Sequence, residues 1–281
     1  MKKQIDWHNG VMDLSKPLVM GILNTAPDSF YDGGKYAGLE ENMNQVARMI
    51  REGASIVDVG AVSTRPGAPK VSEADEWQRL EPVLKQLTRR FPDLCISVDT
   101  WRSNIARKAV EAGAAIVNDI SGGGFDEKMF ETIVRLNVPF IMMHIQGTPQ
   151  TMQTNPQYGD VVEEVYQYFD QRLEKLFAAG MKADVILDPG FGFGKNTDHN
   201  YRLLYGIEKL KSSGFPVLCG VSRKSMINRV LGTRPENALN GTTAVNMLAL
   251  IHGADILRVH DVKEAVQVVK IFNQYRESGA F

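Results

Sequence analysis

Side chains able to hold a ligand stand in this sequence directly after short apolar runs. The stretch Asp184-Val-Ile-Leu-Asp-Pro-Gly-Phe-Gly-Phe-Gly-Lys195 shows the pattern most fully. A Val-Ile-Leu run halted by Asp188-Pro189 cannot extend as a ladder, because proline has no N–H to donate, so the carboxylate is left at the strand's C-terminal edge. The three alternating glycines permit backbone turns that a side chain would block, and they bring main chain close to whatever Asp188 holds. The arrangement recurs along the chain. Asn24 follows Ile22-Leu23, Asp99 follows Ser97-Val98, Asn118-Asp119 follow Val117, and His144 follows Met142-Met143. Ser222-Arg-Lys-Ser225 and Arg258-Val-His260 close two further runs. Two runs open into long polar loops, 25–36 and 60–70, and the second contains Ser63-Thr-Arg-Pro66.

These residue types sort into two chemistries. Asp188, Asn118, Asp99 and Lys224 suit the edge of a flat heterocycle: a carboxylate accepts a paired N–H and NH2, an amide completes the edge, and a lysine meets a carbonyl oxygen. Arg65, Arg258, His260 and Asn24 suit an anion, with the asparagine able to give its carbonyl oxygen to a Mg²⁺ that bridges a diphosphate. Strand alternation places Arg258 and His260 on one face, so both can reach one anion. A lysine in the first turn of a helix, as in Ser222-Arg-Lys-Ser225, is disfavoured by the helix dipole unless a polar ligand lies nearby. Each piece also has a plain structural reading. Asn118-Asp119 and Asp99-Thr100 suit helix caps, His144 suits a satisfied core histidine, Met142-Met143 suit packing, and the Arg258/His260 pair suits a charged surface. The Cys and His spacing supports no zinc site, and there is no Ser or Cys nucleophile with a partner base, nor a phosphate-binding glycine signature after the first strand.

Positioning so many polar strand ends together requires a repetitive frame. Apolar or β-branched runs fall at about 17–24, 54–59, 94–99, 115–118, 138–144, 184–188, 216–221 and 254–258. Helical patterns lie between and after them at 39–52, 75–90, 102–112, 126–136, 160–179, 199–212, 236–252 and 262–276. Strict alternation of near-continuous apolar strands with helices implies parallel strands covered on both faces. Eight such units in 281 residues predict a single-domain (β/α)8 TIM barrel, with an open doubly wound sheet as the alternative. In the barrel all eight strand ends share one rim, where the loops build an active site.

Composition agrees with an enzyme of this kind. A chain with 43% hydrophobic and 8% aromatic residues can bury a large core. A net charge of −1 gives no field for nucleic acid or an anionic membrane. The start lacks a signal core and no run approaches spanning length, so a soluble cytoplasmic protein is expected. Cys95 and Cys219 sit inside strand-like runs and read as buried thiols.

Taken together, the motifs resemble the dihydropteroate synthase family. They are Ile22-Leu-Asn24, Ala26-Pro-Asp-Ser-Phe30 with Asp32-Gly-Gly34, Ser63-Thr-Arg-Pro-Gly67, Ser97-Val-Asp-Thr100, Val117-Asn-Asp119, Leu187-Asp-Pro-Gly-Phe-Gly-Phe-Gly-Lys195, Ser222-Arg-Lys-Ser225 and Arg258-Val-His-Asp261. The match runs from about residue 17 to 276. Two departures are visible: Thr25-Ala26 stands where the family commonly has Val-Thr, and Ala61-Val62 where it often has Gly-Glu. The resemblance implies a pterin-binding barrel that joins 6-hydroxymethyl-7,8-dihydropterin diphosphate to 4-aminobenzoate in folate synthesis, releasing diphosphate, and that is a target of sulfonamides. It implies that Asp99, Asn118, Asp188 and Lys224 hold the pterin, with Met143 and Phe193 lining the pocket. It places diphosphate and Mg²⁺ at Asn24, Arg258 and His260, joined by Arg65, and 4-aminobenzoate at Thr64, Arg65, Pro66 and Ser225. The expected catalytic set is Asp99, Lys224, Arg258 and His260. A homodimer is also implied, with the apolar helix around Val245, Leu248 and Ile251 near its interface.

No residue stands out as a base for the weakly nucleophilic arylamine, so C–O cleavage is expected to run ahead of attack, with electrostatic stabilisation of the departing diphosphate and of the ring. Three rivals have distinct signatures. A methyltetrahydrofolate-binding methyltransferase domain needs no anion cluster, a non-catalytic pterin-binding module does not require Ser63-Thr-Arg-Pro66, and a divergent pterin-binding paralogue would lack the synthase activity.

Overall fold

The N-terminal residues form an antiparallel hairpin, β1 (Gln4–Trp7) and β2 (Gly10–Asp13), which the sequence pattern did not foretell. Its apolar residues Ile5, Met12 and Leu14 are buried, but they are too widely spaced among polar ones to make a strand signal. The structure, a computed structural model, describes residues 3–25, 35–63 and 70–279. Eight parallel strands follow: β3 (Leu18–Asn24), β4 (Ile56–Gly60), β5 (Cys95–Asp99), β6 (Ile116–Asp119), β7 (Phe140–Met143), β8 (Val185–Asp188), β9 (Leu218–Cys219) and β10 (Ile256–Val259). Neighbours pair in the order β8-β7-β6-β5-β4-β3-β10-β9, and a parallel bridge between Leu187 and Val217 closes the ring. The predicted TIM barrel is therefore the observed architecture, and the open doubly wound sheet is excluded.

Helices α1 (Lys35–Glu52), α2 (Glu73–Arg90), α3 (Ser103–Glu111), α4 (Met129–Leu136) and α5 (Val161–Ala178) cover the outside, each between consecutive strands. The expected helix over 199–212 is two, α6 (Thr197–Tyr205) and α7 (Ile207–Lys211). They part at Gly206, where a Cβ would stand 2.5 Å from the Val162 side chain on α5, so the glycine lets the chain approach and turn there. After β9 come α8 (Ser225–Leu231), a short 3-10 turn at Pro235–Asn237 and α9 (Leu239–Ile251), where the sequence suggested one helix over 236–252. The last helix, α10 (Val262–Glu277), follows β10. Asp160 caps α5 by accepting from the Val162 and Glu163 amides, and Asn196 forms a reciprocal cap with His199 on α6.

The strand pleat divides the interior into tiers. Met20, Ile56, Cys95, Ile116, Ile141, Ile186, Leu218 and Ile256, one from each barrel strand, form a single buried cluster with Ile5, Met12 and Leu14 of the hairpin. This is an apolar floor, and each of its larger side chains contributes roughly 1.5–3 kcal/mol of burial. Alternate residues such as Val57, Val98, Val117, Phe140 and Leu187 face the helices in the larger outer core. Two residues above the floor on each strand the inward positions are Ile22, Asp58, Ser97, Asn118, Met143, Asp188, Gly220 and Arg258. Two further on are Asn24, Gly60, Asp99, Ile120, Ile145, Gly190, Ser222 and His260. The barrel thus changes from oil to polar side chains within about 7 Å of strand rise.

Candidate active site

The polar tier is joined into one network. Asp58, fully buried in the middle of β4, accepts through Oδ2 from Arg258 Nε at 2.7 Å and from Asn118 Nδ2 at 2.9 Å. The same guanidinium donates through Nη2 to Asp99 Oδ2 at 2.9 Å. Burial works against the Arg258 charge, but Asp58 and Asp99 beside it more than offset this and raise its pKa. Burial, with Asp58, Glu76 and Asp119 as like charges and Arg258 opposing, pushes Asp99 up to about 7. Asp99 therefore forms no cap; it ties the tier of Asp58 to the mouth.

Asp188 lies on the other side of the tier, also buried, with Oδ1 accepting from the Gly190 amide at 2.8 Å. Burial raises its pKa against the pull of Lys224 and that amide. Lys224 immediately precedes α8, donates to the Phe191 carbonyl and lies 4.8 Å from the centre of the Phe193 ring. Burial lowers it to about 8 despite Asp188. Arg223, the other cation of the motif, turns away: it holds a left-handed φ of 58° and grips Asp261 with two bonds of 2.7 and 2.9 Å. One residue of the pair fixes the loop and the next serves the mouth.

The glycine turn behaves as its spacing predicts. Gly190, Gly192 and Gly194 all have positive φ, and a Cβ on Gly190 would fall 1.9 Å from the His144 carbonyl oxygen. Lys195 ends the turn buried at 2% exposure, its ammonium meeting His144 Nδ1 at 2.8 Å and the Gly190 and Phe193 carbonyls at 3.0 Å. Burial depresses both the Lys195 and the His144 pKa, and a neutral imidazole accepting at Nδ1 fits that pair. The core reading of His144 is correct. Asp119 is likewise structural, accepting from the Ser121 and Gly123 amides and the Ser121 hydroxyl at 2.7 Å.

A hydrophobic wall faces the polar tier. Ile120, Met143, Ile145 and Met152 cluster, with Trp101 and Phe193 packed against them. A flat ring against Met143 and Phe193 would meet acceptors at Asp188 and Asn118 and a donor at Lys224. On the rim Asn24 and His260 are exposed, and Ser222 Oγ lies 3.0 Å from His260 Nδ1. Ser225 is exposed beside Lys224. Arg258, expected with the anion set, shares the inward face with His260 but is held one tier deeper by two carboxylates, so it links the two halves. Thr64, Arg65 and Pro66 lie outside the described residues. Beside that loop, Glu76 of α2 accepts from Thr100 Oγ1 at 2.6 Å and pairs with Arg102, which also donates to the Val71 carbonyl at 2.6 Å. This clamp fastens the loop's downstream end to the end of β5.

Asp58, Glu76 and Lys195 escaped the reading of strand ends. Asp58 had a signal: a carboxylate inside an apolar run, in phase with Asn118 and Asp188.

The sequence profile of the family described as pterin binding enzyme matches residues 20–260. The dihydropteroate synthase of Escherichia coli (strain K12) is 44% identical over 261 residues, covering 92% of each chain. Among solved structures, the Yersinia pestis dihydropteroate synthase with a sulfonamide drug complex superposes with a TM-score of 0.92 at 40% identity, covering 98% of this chain and 99% of that one. The Xanthomonas albilineans dihydropteroate synthase with 4-aminobenzoic acid gives a TM-score of 0.90 at 36% identity over the same shares.

Proposed function

This chain belongs to the dihydropteroate synthase family of pterin binding enzymes, and from that premise we propose that it condenses 6-hydroxymethyl-7,8-dihydropterin diphosphate with 4-aminobenzoate. The products are 7,8-dihydropteroate and diphosphate, in folate biosynthesis. The observation that carries this reading is the polar tier. Asp188, Asn118 and Lys224 offer acceptors and a cation in the pattern a pterin edge requires, and Arg258 runs from them to the rim.

In the proposed reaction the bond between the pterin's exocyclic methylene and the diphosphate oxygen breaks first, and its electron pair leaves with the diphosphate. The arylamine nitrogen then forms the new C–N bond and gives its proton to solvent. Positive charge spreads from the methylene into the pterin, where Asp99 stands at the mouth as a compensating carboxylate. His260 faces the leaving group with a hydrogen-bond donor, and Arg258, one tier below and held by Asp58 and Asp99, adds its positive charge. Lys224 and Asp188 hold the ring in register against Met143 and Phe193. Among the described residues no group of three or more His, Cys, Asp or Glu could cage a metal. The rim donor Asn24 fits the other mode of magnesium binding, in which one protein oxygen joins the oxygens of a phosphate ligand and water. Bound there, Mg²⁺ would neutralise charge on the diphosphate.

Two rival readings are less well supported. A methyltransferase domain has no use for the rim set of Asn24, Ser222 and His260, and the retained Ser63-Thr-Arg-Pro66 disfavours a purely binding role. A homodimer is supported by exposed Tyr205, Val230, Leu231 and Leu248 on α6, α8 and α9, helices that pack on one another; a monomeric sedimentation profile at micromolar concentration would refute it. Thr64, Arg65, Pro66 and Ser225 are proposed to receive 4-aminobenzoate once the diphosphate is in place. The test is calorimetric titration of 4-aminobenzoate into enzyme alone, with Mg²⁺, and with Mg²⁺, diphosphate and a pterin. Binding only in the last case, a coupling of about 1–3 kcal/mol, is expected. Equal affinity in all three would mean a preformed pocket.

A further inference from the structure

The pterin reading leaves Asp58 without a role, although it is fully buried and central to the network. Its Oδ2 takes both the Asn118 and the Arg258 bonds, and Oδ1 has no protein partner among the described residues. The consequence falls on Asn118. A carboxamide presents a carbonyl oxygen on one side and an NH2 on the other, and by itself it can occupy either orientation. Beside a carboxylate it has only one, because the flipped amide would set two acceptors against each other in a buried site. Asn118 therefore gives one N–H to Asp58 at 2.9 Å and keeps its Oδ1 and second N–H for the mouth.

That pairing of an acceptor with a donor selects among pterins. With Asp188 on the N3–H and 2-amino edge, the neighbouring edge, on the other side of the 2-amino group, presents N1 and N8. In a 7,8-dihydropterin N1 is an acceptor and N8 carries a hydrogen, so the fixed amide meets both. In a fully oxidised pterin N8 has a lone pair instead, which would face the Asn118 oxygen. We infer that Asp58 is a specificity-determining residue that fixes the Asn118 amide so that the site discriminates dihydropterin from oxidised pterin. The inference rests on the pterin reading of the site. Its second effect, holding Arg258, bears on both ligands equally and cancels in their ratio.

The experiment is anaerobic calorimetry of 6-hydroxymethyl-7,8-dihydropterin and 6-hydroxymethylpterin with the wild type, Asp58→Asn, Asp58→Leu and Asn118→Ala. The wild type is expected to prefer the dihydro form about tenfold or more, the equivalent of one mismatched hydrogen bond. Asp58→Asn keeps an acceptor at the Oδ2 position and should hold the ratio within about threefold of wild type. Asp58→Leu and Asn118→Ala should each bring the two affinities within about threefold of each other. A folded Asp58→Leu or Asn118→Ala protein that retains the full preference overturns the inference. So does a wild type that binds both forms equally, a result that needs no variant. Failure of the wild type to bind either pterin overturns the pterin reading itself.

Discussion

Replacing Asp188 by Asn changes the site at one atom while leaving its support in place. The asparagine oxygen can still accept from the Gly190 amide, the 2.8 Å bond that shapes the start of the turn. The second oxygen becomes an NH2 aimed at a ligand edge that offers only donors. A carboxylate holding an N–H and an NH2 of the pterin makes charge-assisted bonds, each contributing roughly 1.5–3 kcal/mol. Losing most of that and opposing donor to donor should cost about 2–4 kcal/mol, or roughly 30- to 1,000-fold in affinity. Folding should not suffer equally. Burial raises the Asp188 pKa, so the ionised form is disfavoured in the fold, and its contribution becomes more unfavourable as pH rises above the ordinary value of 3.8. A neutral Asn avoids that cost at pH 7, although Lys224 loses a partner. Calorimetry with 6-hydroxymethyl-7,8-dihydropterin, alongside thermal unfolding, separates the two effects. An affinity within about threefold of wild type, under about 0.7 kcal/mol, would refute the assignment of Asp188.

Lys224 makes the pterin site sensitive to alkali. Its charge is present below its lowered pKa of about 8 and lost as pH rises through it, so pterin affinity should decline above that value, and Lys224→Arg should carry the decline beyond pH ~10. A flat wild-type profile to pH ~9.5 would contradict this. Gly190→Ala drives a Cβ to 1.9 Å from a backbone oxygen at positive φ, and a loss of at least about 3 kcal/mol in thermal unfolding is expected. Gly214→Ala, also at positive φ but with open space around it, should cost only about 1 kcal/mol, and equal losses would show that the contact is irrelevant. Arg258→Ala strips the buried Asp58 and the half-buried Asp99 of their cation and should destabilise by about 3–5 kcal/mol while weakening every pterin ligand. His260→Ala, on the exposed rim, should leave the melting temperature unchanged and weaken only the diphosphate ester; matching phenotypes for the two variants would dissolve the division between tier and rim.

The barrel was legible because its signals are local. Each strand is a short apolar run with a polar terminus, and Asp99, Asn118, Asp188 and Arg258 stand at or beside those ends. The interior tiers were legible in principle too. Counting two residues up from Ile56, Ile116, Ile186 and Ile256 gives Asp58, Asn118, Asp188 and Arg258. Reading strand ends alone discarded Asp58, which lies one pleat below the rim. Partnerships were not legible. Arg258 meets Asp58 across 200 positions and Lys195 meets His144 across 51, pairings set by which strand ends the barrel brings together and not by any local pattern. The hairpin was missed for a different reason: Ile5, Met12 and Leu14 are scattered among polar residues and owe their burial to the barrel floor they join.

Product formation tests the proposed activity most directly. Purified protein should be mixed with Mg²⁺ and 6-hydroxymethyl-7,8-dihydropterin diphosphate, with and without 4-aminobenzoate, and both diphosphate and 7,8-dihydropteroate measured over time. Steady turnover giving the two products in equal amounts, dependent on 4-aminobenzoate and lost in Asp188→Asn, is the expected result. Tight binding of the pterin diphosphate with no dihydropteroate formed would contradict it and leave a pterin-binding barrel without synthase chemistry.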